Sequence, residues 1–167
     1  MFGKAENLVN IQIICIGKLK EKYWVEGVSE YMKRLSRYCS IEIIELKESK
    51  LPDKASAADE EKVKLDEGRE ILRAIKEGTY VITLEIQGKQ LSSPELAEKI
   101  RMLPLEGKSN VAFIIGGSLG LSQEVSKRSD FKLSFSKMTF PHQMMRLVLL
   151  EQIYRSFKII RNEAYHK

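Results

Sequence analysis

The stretch VAFIIGGSLGL, residues 111–121, is an apolar run that ends on two adjacent glycines and resumes around a third, Gly120. A short apolar run bounded by glycine reads as a buried strand feeding a turn. Glycine spacing decides which ligand such a turn could serve. A dinucleotide site needs G-x-G-x-x-G after the first strand, whereas here the order is G-G-x-x-G, late in the chain. A phosphate-cradling P-loop needs a following G-K-[ST], and none follows. Adjacent glycines at a strand end still imply unusual backbone angles or backbone close to something. Two readings therefore stand: a ligand lying against the main chain, or a tight turn with nothing bound.

Working outward, NIQIICIG (10–17), IEIIEL (41–46) and YVITLE (80–85) are further strands, and FKLSFS (131–136) is one with alternating polar residues. Helices separate them. KEKYWVEGVSEYMKRLSRY (20–38) carries Tyr23, Trp24, Val28, Tyr31, Met32 and Leu35 at helical spacing. The polar segment 47–60 contains a proline and is a loop, and a charged helix runs over about 58–77, with Val63, Ile71, Leu72 and Ile75 as its stripe and Gly78 as its stop. Ser93 is expected as the N-cap of another helix, with Pro94 at its first position and Glu95 beside it. LSQEVSKRS (121–129) holds a short helix, and a last helix of about five turns starts at Pro141 with an apolar stripe from Met144 to Ile160. Strands alternating with helices predict an α/β fold, a mostly parallel sheet with helices on both faces. Ligands of such sheets bind beyond the carboxyl ends of the strands, here after Glu85, Ile115 and Phe135.

The 167 residues suit one domain, and 43% hydrophobic with 31% charged residues is a globular composition, neither disordered nor fibrous. The uncharged apolar runs, such as Val9–Ile16, are far too short to cross a bilayer, and no signal-peptide pattern opens the chain, so a cytoplasmic location is expected. Cys15 and Cys39 have no metal-ligand spacing and read as plain thiols. The net charge of +5 is concentrated: residues 126–167 hold nine Lys/Arg against three acids, while the first 125 residues hold 19 basic and 20 acidic groups. That asymmetry suits a polyanionic partner, nucleic acid rather than membrane, and equally describes a solvated basic face.

FSKMTFPHQMMR (135–146) has neither strand alternation nor helical period in its centre, yet it is apolar. A buried irregular loop needs partners for its backbone, which a planar heterocycle or neighbouring loops would supply. His142 should lie in the first turn of the last helix, where the helix dipole disfavours its charged form and keeps it able to accept a proton. Arg146 follows one turn later on the same face, where it could meet a phosphate or a carboxylate. The tail NEAYHK ends with Tyr165 and His166, which suit stacking on a base if the end is ordered. No Ser-His-Asp triad, metal cluster or nucleophilic cysteine stands out.

TLEIQGKQLSS (83–93), FIIGGSLGL (113–121), LSFSKMTFPHQMMRLVLLEQIYR (133–155), the terminal EAYHK and GKLKEKYW (17–24) together closely resemble the RlmH family. These are the ribosomal large-subunit pseudouridine N3-methyltransferases of the SPOUT superfamily. The resemblance covers the chain from about Asn10 as one SPOUT methyltransferase domain, 10–167, and leaves residues 1–9 as an extension without an assigned role. It implies a C-terminal trefoil knot, a homodimer, and S-adenosyl-L-methionine contacted by Leu84, Gly116, Phe135, Ser136, Lys137, Met138, Thr139 and Phe140, with no metal. The implied reaction is methylation of pseudouridine 1915 in helix 69 of 23S ribosomal RNA on the assembled ribosome. His142 or His166 is then expected as the proton acceptor, Arg146 as the group that stabilises charge or holds a phosphate, and Tyr165 as a nucleotide contact. One protomer's tail would complete the other's pocket. A non-enzymatic ribosome- or RNA-binding factor using the basic C-terminal quarter is the competing reading, and a dehydrogenase is opposed by the glycine spacing.

Overall fold

The structure, a computed structural model, describes residues 9–165; residues 1–8 and the expected site residue His166 lie outside them. Ten elements alternate: β1 (Asn10–Ile16), α1 (Lys22–Leu35), β2 (Ser40–Leu46), α2 (Ala57–Ala74), β3 (Tyr80–Gln90), α3 (Ser93–Leu105), β4 (Asn110–Ile115), α4 (Gln123–Arg128), β5 (Phe131–Ser134) and α5 (His142–Ile160). The five strands form one sheet in the order β2-β1-β4-β3-β5, parallel throughout. The inner strands β1 and β4 are buried on both faces from their second residue on, and this explains their nearly continuous apolar runs, whereas the edge strand β2 has no fully buried residue.

Alternation along the strands divides the core. Ile11, Ile13 and Cys15 of β1 join Val111, Phe113 and Ile115 of β4 under α1, α3 and α5. Ile14, Ile16, Ala112 and Ile114 face the other way, onto Ile71 of α2 and Val125 of α4. Val9, expected within the extension, is 5% exposed and belongs to the first cluster, so the packed domain starts one residue earlier.

The local signals differ from expectation in three places. The N-cap of α3 is Ser92, not Ser93: Ser92 and Glu95 form a reciprocal capping box, and Ser93 instead bonds Gln152 of α5. Helix α2 stops at Ala74, before Gly78, after opening with its own box of Ser56 and Asp59. Strand β3 runs five residues beyond Glu85 because its register on β5 shifts, with Leu84 and Lys89 both opposite Leu133. Gly88 makes this possible, since a Cβ there would stand 2.7 Å from the Lys132 carbonyl carbon.

The topology brings three strand ends together. Strand β4, drawn between β1 and β3, and β5, drawn to the outer side of β3, place the carboxyl ends of β4, β3 and β5 side by side. Residues distant in sequence thus border one edge of the sheet.

Candidate active site

A cavity of about 680 Å³ opens at that edge. Leu84 and Glu85 come from β3, Gly116 to Leu121 from the turn after β4, the 135–141 segment from beyond β5, and His142 and Met145 from α5. Of the residues expected to touch a cofactor, Leu84, Gly116, Phe135, Ser136, Met138, Thr139 and Phe140 all line it. Lys137 does not; it is exposed.

The glycine turn is closed on itself. Gly120 donates its N–H to the Gly117 carbonyl at 3.1 Å and has φ of 81°, a left-handed conformation suited to glycine. A Cβ on Gly116 would stand 2.9 Å from the Gly120 carbonyl carbon, and one on Gly117 would stand 3.1 Å from a Glu67 carboxylate oxygen. The two readings of the run are therefore not exclusive: the turn is tight for its own reasons, and its outer surface lines a cavity. Behind it Glu67, 5% exposed, accepts from the Ser49 N–H at 3.1 Å, and burial raises its pKa above the ordinary carboxylate value.

The opposite wall, residues 135–141, is held sparsely. The Ser134 hydroxyl donates to the Ser136 carbonyl at 3.0 Å, and the Met138 N–H donates to the Ser136 hydroxyl at 3.0 Å. Met138 is 73% and Phe140 39% exposed. The irregular backbone is as read from the sequence, but the expected burial is not found: residues 137–141 are exposed, and their apolar side chains border the open cavity instead of entering the core.

His142 is the first residue of α5, behind the cap residue Pro141. Burial lowers its pKa below 6.5, the Arg146 charge lowers it further, and Glu48 opposes them. The structure places Arg146 where neither phosphate nor base can reach it. At 1% exposure its guanidinium donates to Glu45 at 2.8 Å and to the carbonyls of Ile16 and Gly17, each at 2.8 Å. Its Nε is buried without a partner among the described residues. Arg146 thus fastens the start of α5 to the ends of β1 and β2. Sequence reasoning missed Glu45, 101 residues away, as the carboxylate that meets it; it also gave no role to Glu85, the cavity's acid.

Tyr165 lies away from the cavity, packed on its own chain. Its hydroxyl donates to Glu151 at 3.1 Å and lies 3.3 Å from the Tyr31 hydroxyl, while the Arg155 guanidinium lies 4.7 Å from its ring centroid. Burial, first, and these two hydrogen bonds raise its pKa. Nearby, Lys158 and Arg161 face the Tyr38 ring, so the basic C-terminal excess here is interleaved with aromatics.

Comparison with known proteins then gives three findings. A family profile described as "Predicted SPOUT methyltransferase" matches residues 9–166. The ribosomal RNA large subunit methyltransferase H of Clostridium novyi (strain NT) is 60% identical over 159 residues, 95% of this chain and all of that protein, and its counterpart in Alkaliphilus oremlandii (strain OhILAs) is 58% identical over the same shares. The crystal structure of a probable methyltransferase from Bordetella pertussis Tohama I agrees at a TM-score of 0.56 with 12% identity, covering 90% of this chain and 98% of that one, a likeness of fold alone.

Proposed function

This chain belongs to the SPOUT methyltransferase family, and we propose that it transfers a methyl group from S-adenosyl-L-methionine to N3 of pseudouridine 1915 in helix 69 of 23S ribosomal RNA. The observation that carries this reading is the cavity at the ends of β4, β3 and β5, lined by glycine backbone, apolar side chains and the hydroxyls of Ser136 and Thr139. A nucleoside with an amino-acid arm fits such a lining: apolar walls for the base, and the bare backbone of Gly116 and Gly117 for close approach. The resemblance extends the proposal to a trefoil knot through the C-terminal segment, a homodimer acting on assembled ribosomes, and a cytoplasmic site of action.

The bound cofactor supplies a methyl group already activated on its sulfonium. The protein's own work is to position the acceptor and take its proton. His142 is the candidate base, because burial and the Arg146 charge keep its imidazole neutral at the pH where a proton must be accepted. Arg146 is a positioning residue that fixes the helix turn carrying His142. Tyr165 meets α5 at Glu151, nine residues beyond His142, or roughly 14 Å along a helix. From there Tyr165 does not reach its own cavity. A site completed by the partner's tail therefore suits the homodimer.

The test is tritiated methyl transfer to intact ribosomes lacking the modification. Wild type is expected to label the 23S RNA, His142→Ala to lose at least a hundredfold in rate, and a chain ending at Ala164 to lose turnover. Full turnover by the shortened chain would refute the tail's part, and no heat on titration with S-adenosyl-L-methionine would refute the enzyme.

A further inference from the structure

Glu85 stands out because its surroundings hold its carboxylate but do not neutralise it. The Thr83 hydroxyl donates to one oxygen at 2.5 Å and the Ser126 hydroxyl to the other at 2.7 Å. Thr83 is fully buried, and its hydroxyl lies 2.7 Å from that of Ser129, so the mount is rigid. No lysine or arginine forms an ion pair with Glu85 among the described residues.

The residue lines the cavity directly after Leu84, where β3 leaves its register with β5. Among the described residues, the ionisable side chains in the lining are Glu85 and His142. With the imidazole neutral, the lining carries one formal charge, and it is negative. Glutamine could meet the same two hydroxyls, through its carbonyl oxygen and amide group. Holding the β3 end to α4 therefore does not require a charge. The two hydroxyls satisfy the carboxylate oxygens without supplying a positive charge, so a cation in the cavity would meet an attraction that no group of the lining already uses.

We infer that Glu85 is the counter-charge for a cationic methyl donor and makes the cavity prefer the sulfonium form of the cofactor to its thioether product. The inference rests on the cofactor proposed above. S-adenosylmethionine combines a sulfonium, an ammonium and a carboxylate, for a net charge of +1. When the methyl leaves, the carbon–sulfur bonding pair stays on sulfur and the product S-adenosylhomocysteine is net neutral. The carboxylate attracts the donor more than the product, so turnover weakens the hold on the spent cofactor. Glu85 is thus a specificity-determining residue that acts through charge.

The test is calorimetric titration of the full-length wild type, Glu85→Gln and Glu85→Asp with S-adenosylmethionine and with S-adenosylhomocysteine, each variant's melting temperature being recorded. Glu85→Gln is expected to weaken donor binding roughly tenfold while product binding stays within about twofold. Glu85→Asp should restore most of the preference. Equal losses for both ligands would overturn the inference, because the carboxylate would then be reading the shared ribose or supporting the strand end. Unchanged binding of both would overturn it as well. Wild type binding neither ligand would instead refute the cofactor reading, and this inference with it.

Discussion

Two walls of one cavity are built on opposite plans. The 116–121 turn is fixed by its own backbone: the Gly120 to Gly117 hydrogen bond closes it, and Gly116 packs so tightly that no side chain fits. The 135–141 wall has two local hydroxyl hydrogen bonds at 3.0 Å, centred on Ser136, and exposed Met138 and Phe140. The first wall needs nothing from a ligand to keep its shape. The second offers apolar surface that stays wet until something covers it, so binding should be read out mainly there.

The largest effect should come from the anchor below the second wall. Arg146→Ala strips the Ile16 and Gly17 carbonyls and Glu45 of their donor, and about 3 kcal/mol of stability should go, measured by denaturant unfolding; Glu45 is 36% exposed, and water recovers part of its loss. Gly116→Val tests the first wall. Its Cβ would meet the Gly120 backbone, so about 2 kcal/mol should be lost together with S-adenosyl-L-methionine binding, and a variant that kept full stability would show the turn to be softer than its contacts imply.

Substituting the exposed second wall should do the reverse. Met138→Ser and Phe140→Ser should each change stability by less than about 0.5 kcal/mol while calorimetry shows cofactor affinity falling several-fold. Equal behaviour of the two walls in these experiments would erase the distinction between them. The smallest effect concerns His142 at the junction of the second wall with α5. Because its folded pKa lies below the 6.5 of the free side chain, the unfolded chain takes up a proton first on acidification. Stability should therefore fall as pH drops from about 6.5 towards the folded pKa, and His142→Ala should remove that slope. Methyl transfer should stay level between about pH 8 and 6.5 and decline only below.

The sheet, its parallel sense and the three strand ends were legible because buried parallel strands announce themselves as β-branched runs, and because ligands in α/β folds gather at carboxyl ends. The segment 135–140 was legible through a conflict, apolar composition without any period. Arg146 was not. Its sequence reading left a phosphate or a carboxylate as the partner, and the groups it actually meets, Glu45 and the carbonyls of Ile16 and Gly17, lie more than 100 residues away. Gly116 was read as yielding space to a ligand, whereas its first demand is space for Gly120. The five extra residues of β3 depend on Gly88 meeting β5, a contact between segments whose pairing no local pattern states.

The position of β4 has a consequence for how the chain is made. Strands β1 and β3 share no hydrogen bonds; β4 lies between them and pairs with both. Until Asn110–Ile115 has left the ribosome, a nascent chain holds only a β1-β2 pair and a solitary third strand, each with an open edge of unpaired backbone N–H and C=O groups. Synthesis therefore passes through a long stretch in which the sheet cannot close, and a pulse of protease during translation should find the first ninety residues cleavable until β4 arrives.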